Sequence, residues 1–214
     1  MHNSVKNLLN IQDKIKNKSN ATPIIIAVSK TFEAKEIIPL LDFGHQHFGE
    51  NKVQECMKKW PELKNRYKDT SLHMIGKLQT NKVKDCLKYF NYIHSVDSKK
   101  LAKKIYDEQI KQNKKIKIFI QINIGNEDQK SGIKVSELDE LLFYCETLKL
   151  NVIGLMCIPP ISSDTKKYFR IMKELKEKYN QKNLSMGMSS DYMDAVEYSS
   201  NFLRIGTSIF GERS

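Results

Sequence analysis

Short apolar segments alternate along the chain with longer segments in which apolar residues recur every three or four positions. The short segments are rich in β-branched residues, which is typical of buried strands, whereas the longer ones have helical spacing. Eight strands are predicted, over residues 24–29, 45–50, 71–76, 92–96, 117–124, 151–158, 184–188 and 202–206. Helices are predicted between them, over residues 34–41, 53–59, 81–88, 99–112, 137–148, 165–179 and 192–198.

The first 18 residues predict one more helix, which precedes the first strand. Its apolar residues share one face: Val5, Leu8, Leu9, Ile11 and Ile15. Such a stripe is expected to pack against the rest of the protein.

Strands separated by helices pair in parallel through right-handed crossovers. Both faces of such a sheet are covered, which explains why residues 24–28 (IIIAV) are apolar at every position. An open doubly wound sheet and a closed barrel both fit this alternation. A nucleotide-binding doubly wound sheet usually carries GxGxxG or a P-loop near its first strand, and neither motif occurs. We therefore predict an α/β fold, a single (β/α)₈ TIM barrel domain over residues 1–214 with helix 1–18 packed on it.

The composition is that of a globular protein, with 40% apolar and 29% charged residues. Its apolar runs are far shorter than the roughly 20 residues of a membrane helix. The N-terminus lacks the pattern of a secretory signal, so the expected location is the cytoplasm and no membrane partner is expected. The four cysteines show neither CxxC pairs nor zinc spacing, and we expect no metal site.

The net charge of +11, from 36 basic and 25 acidic residues, raises the question of nucleic-acid binding. A binding patch would concentrate basic residues and would favour arginine. Here the lysines are spread over the whole chain and only four residues are arginines. We expect no specific nucleic-acid partner, and we interpret the lysines as solvated surface residues.

In a (β/α)₈ barrel, ligands bind where the strands end, so polar residues at those positions are the candidates for chemistry. The first strand ends at Lys30. A lysine at the barrel mouth is partly desolvated, which lowers its pKa and gives a neutral amine that can form an imine with a carbonyl compound. On position alone, the commoner alternative is a lysine that ends the strand and points to water.

Two further strand ends carry polar residues. Asn51 follows the second strand, where it is expected either to bind a ligand hydroxyl or to cap the next helix. His73 alternates with apolar residues in the third strand, and we interpret it as a satisfied core residue rather than a general base.

The last two strands give the sharpest pattern. Ser189 follows the seventh strand, and Gly206 and Thr207 follow the eighth. In these barrels a phosphate is commonly held after strands 7 and 8 by backbone N–H groups and hydroxyls, although helix capping would explain either loop alone. Arg204 lies within the otherwise apolar eighth strand and needs a partner there.

One ligand suits an amine, a phosphate site and a buried guanidinium together. Pyridoxal 5′-phosphate (PLP) has an aldehyde for Lys30, a phosphate for Ser189, Gly206 and Thr207, and a pyridine nitrogen for Arg204. The sequence therefore predicts PLP as the cofactor.

Several motifs resemble the pyridoxal phosphate homeostasis family (YggS/PROSC-like), and they occur in the family's order over nearly the whole chain. They are AVSKT, HFGENKVQE, LHMIGKLQTNK, KSGI, GLMCIPP, MGMSSD and RIGTSIFGER. The resemblance implies a single-domain barrel like the N-terminal domain of alanine racemase, with PLP held as an internal aldimine on Lys30. It also implies phosphate contacts from Ser189, Gly206 and Thr207, Arg204 beside the pyridine nitrogen, and Asn51 as a further cofactor residue.

The resemblance extends to Lys130 of KSGI, which matches a family lysine linked to PLP handling. The chain differs from the family pattern at two places. Residues 199–201 are Ser-Ser-Asn where the family usually has Gly-Ser-Thr, and Lys52 stands where tyrosine is common. A glycine often marks a positive φ, so the turn before the last strand is the place where this chain's geometry is in question.

These features predict a PLP carrier and regulator without robust catalytic turnover and without catalytic residues, which releases or transfers PLP to small amines or to apo forms of PLP enzymes. The resemblance implies that it is a monomer. An arginine at the ring nitrogen cannot accept the proton that makes the ring an electron sink. The alternatives are a fold-type III PLP enzyme such as an amino-acid racemase, and a lysine-rich binder of RNA or membrane surfaces without a cofactor.

Overall fold

A computed structural model describes residues 1–160 and 164–212. Arg213, the last residue of the RIGTSIFGER motif, lies outside the described residues. The strands are β1 (Ile24–Val28), β2 (His47–Glu50), β3 (Ser71–Met74), β4 (Tyr92–Val96), β5 (Lys117–Ile122), β6 (Asn151–Cys157), β7 (Asn183–Ser185) and β8 (Phe202–Ile205). The α-helices are α1 (Asn3–Lys18), α2 (Ala34–Asp42), α3 (Val53–Arg66), α4 (Val83–Tyr89), α5 (Lys99–Gln112), α6 (Leu138–Thr147), α7 (Thr165–Lys178), α8 (Tyr192–Glu197) and α9 (Thr207–Phe210). Short 3₁₀ helices precede α4 and α6, over Thr80–Lys82 and Val135–Glu137.

The eight strands form a closed barrel in which every neighbouring pair is parallel and the spatial order follows the sequence. Strand β8 pairs with β1, with Ala27 opposite Ile205, and this pairing closes the barrel. The predicted (β/α)₈ barrel is confirmed. All strands run in the same direction, so their carboxyl ends meet at one mouth.

Side chains on the outer face of the strands pack against the surrounding helices and make the larger hydrophobic core. Helix α1 contributes Val5, Leu8, Ile11 and Ile15, which are all buried, as the amphipathic pattern predicted. It packs against α9, where the side chain of Asn7 donates to the carbonyl of Ile209 at 3.0 Å. The N-terminal helix therefore supports the short helix that follows β8.

The inside of the barrel holds a smaller cluster of bulky apolar side chains, which are Ile26, Tyr92, Phe119, Met156 and Phe202. Two buried histidines lie among them. His73 stacks on Tyr92 with a ring separation of 4.1 Å, and His94 stacks on Phe119 at 4.3 Å. This interior is more polar than the branched aliphatic layers that usually fill such barrels.

The structure corrects several predicted boundaries. Helix α3 continues to Arg66, past the predicted end at residue 59, because Trp60 and Leu63 bury their side chains in the core on either side of Pro61. Strand β7 ends at Ser185, earlier than predicted, and Gly187 turns the chain with a φ of 93°. The second strand begins at His47, two residues later than predicted.

The turn at Ser199 keeps the backbone shape that a glycine would adopt. Ser199 has a φ of 63°, in the left-handed region that favours glycine. Ser199 therefore holds this turn in a conformation that glycine would adopt without strain. Within the described part of the chain, no helix combines the length and the apolar character needed to cross a membrane.

Candidate functional site

The six candidate residues lie at the carboxyl ends of four adjacent strands, in the spatial order β7, β8, β1 and β2. Val28 of β1 lies opposite Gly49 of β2, so Lys30 and Asn51 each follow two residues beyond this pair. On the other side of β1, the position of a Cβ on Gly206 would lie 3.5 Å from the Cβ of Val28. The structure therefore brings the predicted residues to one half of the barrel mouth.

Lys30 is half-buried and occupies the second position of a four-residue turn that follows β1. The turn is closed by a hydrogen bond from the Phe32 N–H to the Ser29 carbonyl, at 3.2 Å. Thr31, its third residue, has a φ of 70°. Glycine or asparagine is usual where a turn needs a positive φ, and a β-branched residue there is strained.

A buried carboxylate lies directly beneath this turn. Glu50, the last residue of β2, is inaccessible to solvent, and its Oε1 accepts hydrogen bonds from Ser29 Oγ (2.7 Å), Lys59 Nζ (2.8 Å) and Trp60 Nε1 (2.8 Å). Burial raises the pKa of Glu50, and the hydrogen bonds and the charge of Lys59 oppose that rise. The sequence places Glu50 at the tip of the predicted second strand, but sequence reasoning assigned it no role.

Asn51 does not cap the helix that follows it, since Lys52 is the N-cap residue of α3. It lines a cavity of about 500 Å³ between β2 and β3, together with Met74, Leu78 and Gln79. Gly76 packs closely on its backbone, because a Cβ there would lie 2.4 Å from the Asn51 carbonyl oxygen. Its amide side chain is thus available for a ligand role rather than for helix capping.

The loops after β7 and β8 meet at the hydroxyl of Ser189. Its Oγ accepts hydrogen bonds from the backbone N–H groups of Gly206 (3.3 Å) and Ser208 (3.2 Å). Thr207 lies between these two residues as the first residue of α9 and is exposed. Both interpretations of these loops, helix capping and a phosphate site, are compatible with this geometry. A serine from one loop caps the helix of the other, and two N–H groups converge on one oxygen atom.

Arg204 is buried and turns its guanidinium into the barrel. Nη1 donates to Ser185 Oγ at 2.7 Å and Nη2 donates to the Cys157 carbonyl at 2.8 Å. Burial lowers the pKa of Arg204 from its usual value, and the nearby carboxylate of Asp191 opposes this. A guanidinium has five N–H donors, and these two bonds use two of them.

A chain of hydrogen bonds continues from Arg204 through the barrel to its opposite end. Ser185 Oγ lies 2.8 Å from His94 Nδ1, His94 Nε2 lies 2.9 Å from His73 Nδ1, and His73 Nε2 lies 3.0 Å from His47 Nδ1. The interpretation of His73 as a satisfied core residue is confirmed, because both of its ring nitrogens are hydrogen-bonded.

The direction of this chain follows from Arg204, which can only donate. The buried hydroxyl of Ser185 accepts from Arg204, and its own proton needs an acceptor, which is His94 Nδ1. Each histidine then donates from Nε2 to the next ring. Burial holds the pKa of His73 and His94 well below the usual value, which keeps both rings neutral.

The loop after β5 approaches the mouth from the side. Lys130 pairs with Glu127 and donates to the Pro159 carbonyl at 3.2 Å, which ties this loop to the one after β6. No group of three or more His, Cys, Asp or Glu side chains in residues 1–160 and 164–212 is placed to hold a metal ion.

Comparison with known sequences gives matches over the whole chain. The family model for the alanine racemase N-terminal domain matches residues 3–214. The pyridoxal phosphate homeostasis protein of Aquifex aeolicus is 39% identical over 88% of this chain and 86% of its own length. That of Escherichia coli strain K12 is 34% identical over 100% of this chain and 98% of its own length.

Among solved structures, PipY of Synechococcus elongatus with PLP bound matches this fold with a TM-score of 0.86. The two chains are 31% identical, and the match covers 97% of this chain and 100% of that one. A similar fold therefore occurs in a protein that was solved with PLP bound.

Proposed function

Because this chain belongs to the pyridoxal phosphate homeostasis protein family, within the wider family of alanine racemase N-terminal domains, we propose that it binds PLP and takes part in PLP homeostasis. The observation that carries this proposal is the convergence, on adjacent strand ends, of a lysine amine, a pair of backbone N–H groups and a buried guanidinium. We further propose that residues 1–214 act as a single PLP-binding domain.

Each part of PLP has a matching group at this barrel mouth. The N–H groups of Gly206 and Ser208, which donate to Ser189 Oγ in this structure, and the Ser189 hydroxyl itself suit the phosphate, and Thr207 adds an exposed hydroxyl beside them. The donors of Arg204 suit the pyridine nitrogen, and the amide of Asn51 suits the ring hydroxyl. The chemistry of these donors fits the charge and the hydrogen-bonding groups of PLP.

Lys30 is proposed to hold PLP covalently. Its neutral amine nitrogen forms a C=N bond to the aldehyde carbon, and the aldehyde oxygen leaves as water with the two amine protons. Nothing is oxidised or reduced, so hydrolysis reverses the step and releases PLP unchanged. A reversible link protects other amines in the cell from the reactive aldehyde.

The proposed role is storage and delivery rather than catalysis. When bound, PLP stabilises carbanions most strongly if its ring nitrogen is protonated, and enzymes usually achieve this with a carboxylate. Arg204 keeps only donors towards the site, so it favours a neutral ring nitrogen. We propose that the protein works as a monomer in the cytoplasm and passes PLP to amines or apo PLP enzymes.

The binding proposal is tested by titrating PLP into the protein and recording the imine absorbance band near the edge of the visible range. Lys30→Ala is expected to lose the band and the borohydride-trapped product. Lys35→Ala removes an exposed lysine five residues away and serves as the matched control, with a wild-type band expected. Equal trapping of PLP by Lys30→Ala would contradict the assignment.

The enzyme alternative makes a different prediction. A racemase or decarboxylase would exchange the α-hydrogen of an amino acid in heavy water at enzymic rates. We expect no sustained exchange with any common amino acid, as followed by NMR. Sustained exchange would overturn the proposed role as a carrier.

The cofactor-free alternative is a basic protein that binds RNA or anionic membranes. It predicts a colourless protein after PLP addition and binding that weakens steeply as salt rises. We expect the PLP-loaded protein to be coloured and to show only weak binding of RNA at physiological salt.

A further inference from the structure

Helix α3 holds the Lys30 turn from below through two side chains. Lys59 Nζ donates to the carbonyls of Ser29 (2.8 Å) and Phe32 (3.0 Å), which are the first and last residues of the turn. Glu55 accepts from the backbone N–H of Thr31, the strained residue in its middle. We call Lys59 and Glu55 the α3 clamp.

The ammonium of Lys59 is saturated by these contacts. Its three N–H groups match its three shortest contacts, which are the two turn carbonyls and Glu50 Oε1 at 2.8 Å. Its side chain is only 7% exposed, in a chain where most lysines lie at the surface. Such a buried, fully bonded lysine is held in place and cannot swing to solvent.

Glu50 fixes the position of Lys59 in turn. Three donors meet at its Oε1, whereas its buried Oε2 has no hydrogen-bond partner among the described residues. An arrangement that leaves a buried carboxylate oxygen unsatisfied costs stability. The turn of Lys30 is therefore built on a costly polar cluster, in a place where an apolar core would be more stable.

Strain and support coincide at this turn. A threonine with a positive φ persists only where its surroundings hold it, and such strained residues cluster at functional sites. The two clamp residues bind three backbone groups on both sides of Lys30: the Ser29 carbonyl, the Thr31 N–H and the Phe32 carbonyl. The backbone that carries the reactive amine is thus held by α3 in addition to the turn's own hydrogen bond.

We propose that Lys59 and Glu55 are positioning residues, which hold the strained turn so that the Lys30 amine is aimed at the aldehyde of PLP. This inference rests on the proposed function, since it assigns the imine to Lys30. Loss of the clamp lets the turn relax, and it is expected to weaken imine formation about tenfold while leaving the other PLP contacts in place.

The test separates covalent from non-covalent binding. PLP titrations report the imine band, and parallel calorimetric titrations use pyridoxine 5′-phosphate, which carries an alcohol in place of the aldehyde and cannot form an imine. Lys59→Met and Glu55→Ala are expected to lower the imine constant about tenfold. Both should keep the affinity for pyridoxine 5′-phosphate within about twofold, since the clamp does not touch the phosphate or ring contacts.

Two kinds of control accompany these variants. Lys58→Met removes the exposed neighbour of Lys59 on the same helix and should behave as wild type. Thr31→Gly added to Lys59→Met should restore imine formation, because glycine adopts a positive φ without strain. Glu55→Gln keeps an oxygen acceptor for the Thr31 N–H and should lie close to wild type.

Folding is checked by circular dichroism, because Lys59→Met leaves Glu50 buried without its cation. If Lys59→Met does not fold, Glu55→Ala decides the question, since Glu55 is partly exposed. Folded clamp variants with a wild-type imine constant, or with equal losses of both ligands, would overturn the inference. Failure of the proposed function looks different, because wild type itself would then show no imine band.

Discussion

Arg204 illustrates how much a single residue can predict. It is one of four arginines and lies in an apolar strand, so the sequence indicated that it is buried and needs a partner. The structure supplies Ser185 Oγ and the Cys157 carbonyl as these partners. Neither was predictable, because both lie on other strands and their identity depends on barrel geometry rather than on sequence spacing.

Ser199 gives a prediction at the same scale. It follows the C-cap of α8 with a φ of 63°, at the position where helices commonly end with glycine. Ser199→Gly is expected to raise the free energy of unfolding by about 0.5–1 kcal/mol, since relief of strain outweighs the extra entropy of the unfolded chain. Urea unfolding measures the change.

The control is Ser136→Gly, at an exposed serine that does not have a positive φ. It should leave stability unchanged or lower it. A stability gain at residue 136 equal to that at residue 199 would show that backbone strain is not the cause.

Lys59 shows the opposite limit of sequence reasoning. In the sequence it is one lysine among many on a predicted helix, and nothing in its spacing distinguishes it from Lys58. Its contacts with the Ser29 and Phe32 carbonyls join residues about 30 positions apart. Only the packing of α3 against the end of β1 reveals them.

At the scale of elements, the alternation of apolar runs and helical periods was sufficient to predict all eight strands and, through the barrel, which strands lie next to each other. The middle of each element was predicted better than its ends. The predicted end of α3 at residue 59 was wrong, because burial of Trp60 and Leu63 on either side of Pro61 continues the helix to Arg66. Tertiary packing overrides local propensity at such points.

Three histidines whose pKa is lowered by burial, His45, His73 and His94, predict a loss of stability in acid. Burial lowers the pKa of His45 to about 4, and those of His73 and His94 well below the usual value. In the unfolded chain each titrates near 6.5, so below that pH the unfolded state binds protons that the folded state does not. The free energy of unfolding should therefore fall as pH decreases from about 6.5 towards 4, by about 1.4 kcal/mol per pH unit for each histidine.

Two buried carboxyls act in the other direction within this window. Burial raises the pKa of Glu50 and Asp191, so the folded state holds protons there that the unfolded state releases as pH rises. The variant His94→Gln therefore gives the cleaner comparison, because it keeps both carboxyls and lacks one histidine. Its free energy of unfolding should fall with decreasing pH less steeply than that of wild type, by about 1.4 kcal/mol per pH unit. Urea unfolding between pH 5.5 and pH 4.5 measures both slopes, and equal slopes would contradict the prediction.

A pair of glycines tests the packing of the barrel elements. A Cβ at Gly154 of β6 would lie 2.0 Å from the carbonyl oxygen of Asn183 in β7. Gly154→Ala must push these two strands apart and is expected to lower the free energy of unfolding by about 2–3 kcal/mol.

Gly206 is the matched control, because the nearest atom to a Cβ there is 3.5 Å away. Gly206→Ala should change stability by less than about 0.5 kcal/mol. Thermal or urea unfolding of both variants checks the pair, and similar losses at the two sites would contradict the packing argument.

At the scale of the whole molecule, the closed barrel turns a linear order of motifs into one site. The AVSKT, FGEN, MGMSSD and RIGT segments span residues 27–207 of the sequence, yet their strands β7, β8, β1 and β2 are neighbours. Closure between β8 and β1 is what joins the predicted amine to the predicted phosphate loops. The barrel was predictable from the alternation of elements, but the contacts inside it were not.

The covalent attachment of PLP to Lys30 can be measured by mass spectrometry. The protein is loaded with PLP, reduced with borohydride, digested and mapped peptide by peptide. We expect one dominant modified peptide, with the added mass on Lys30 of the AVSKT segment. A modification confined to other lysines, or none at all on the reduced protein, would contradict the proposed mode of PLP binding.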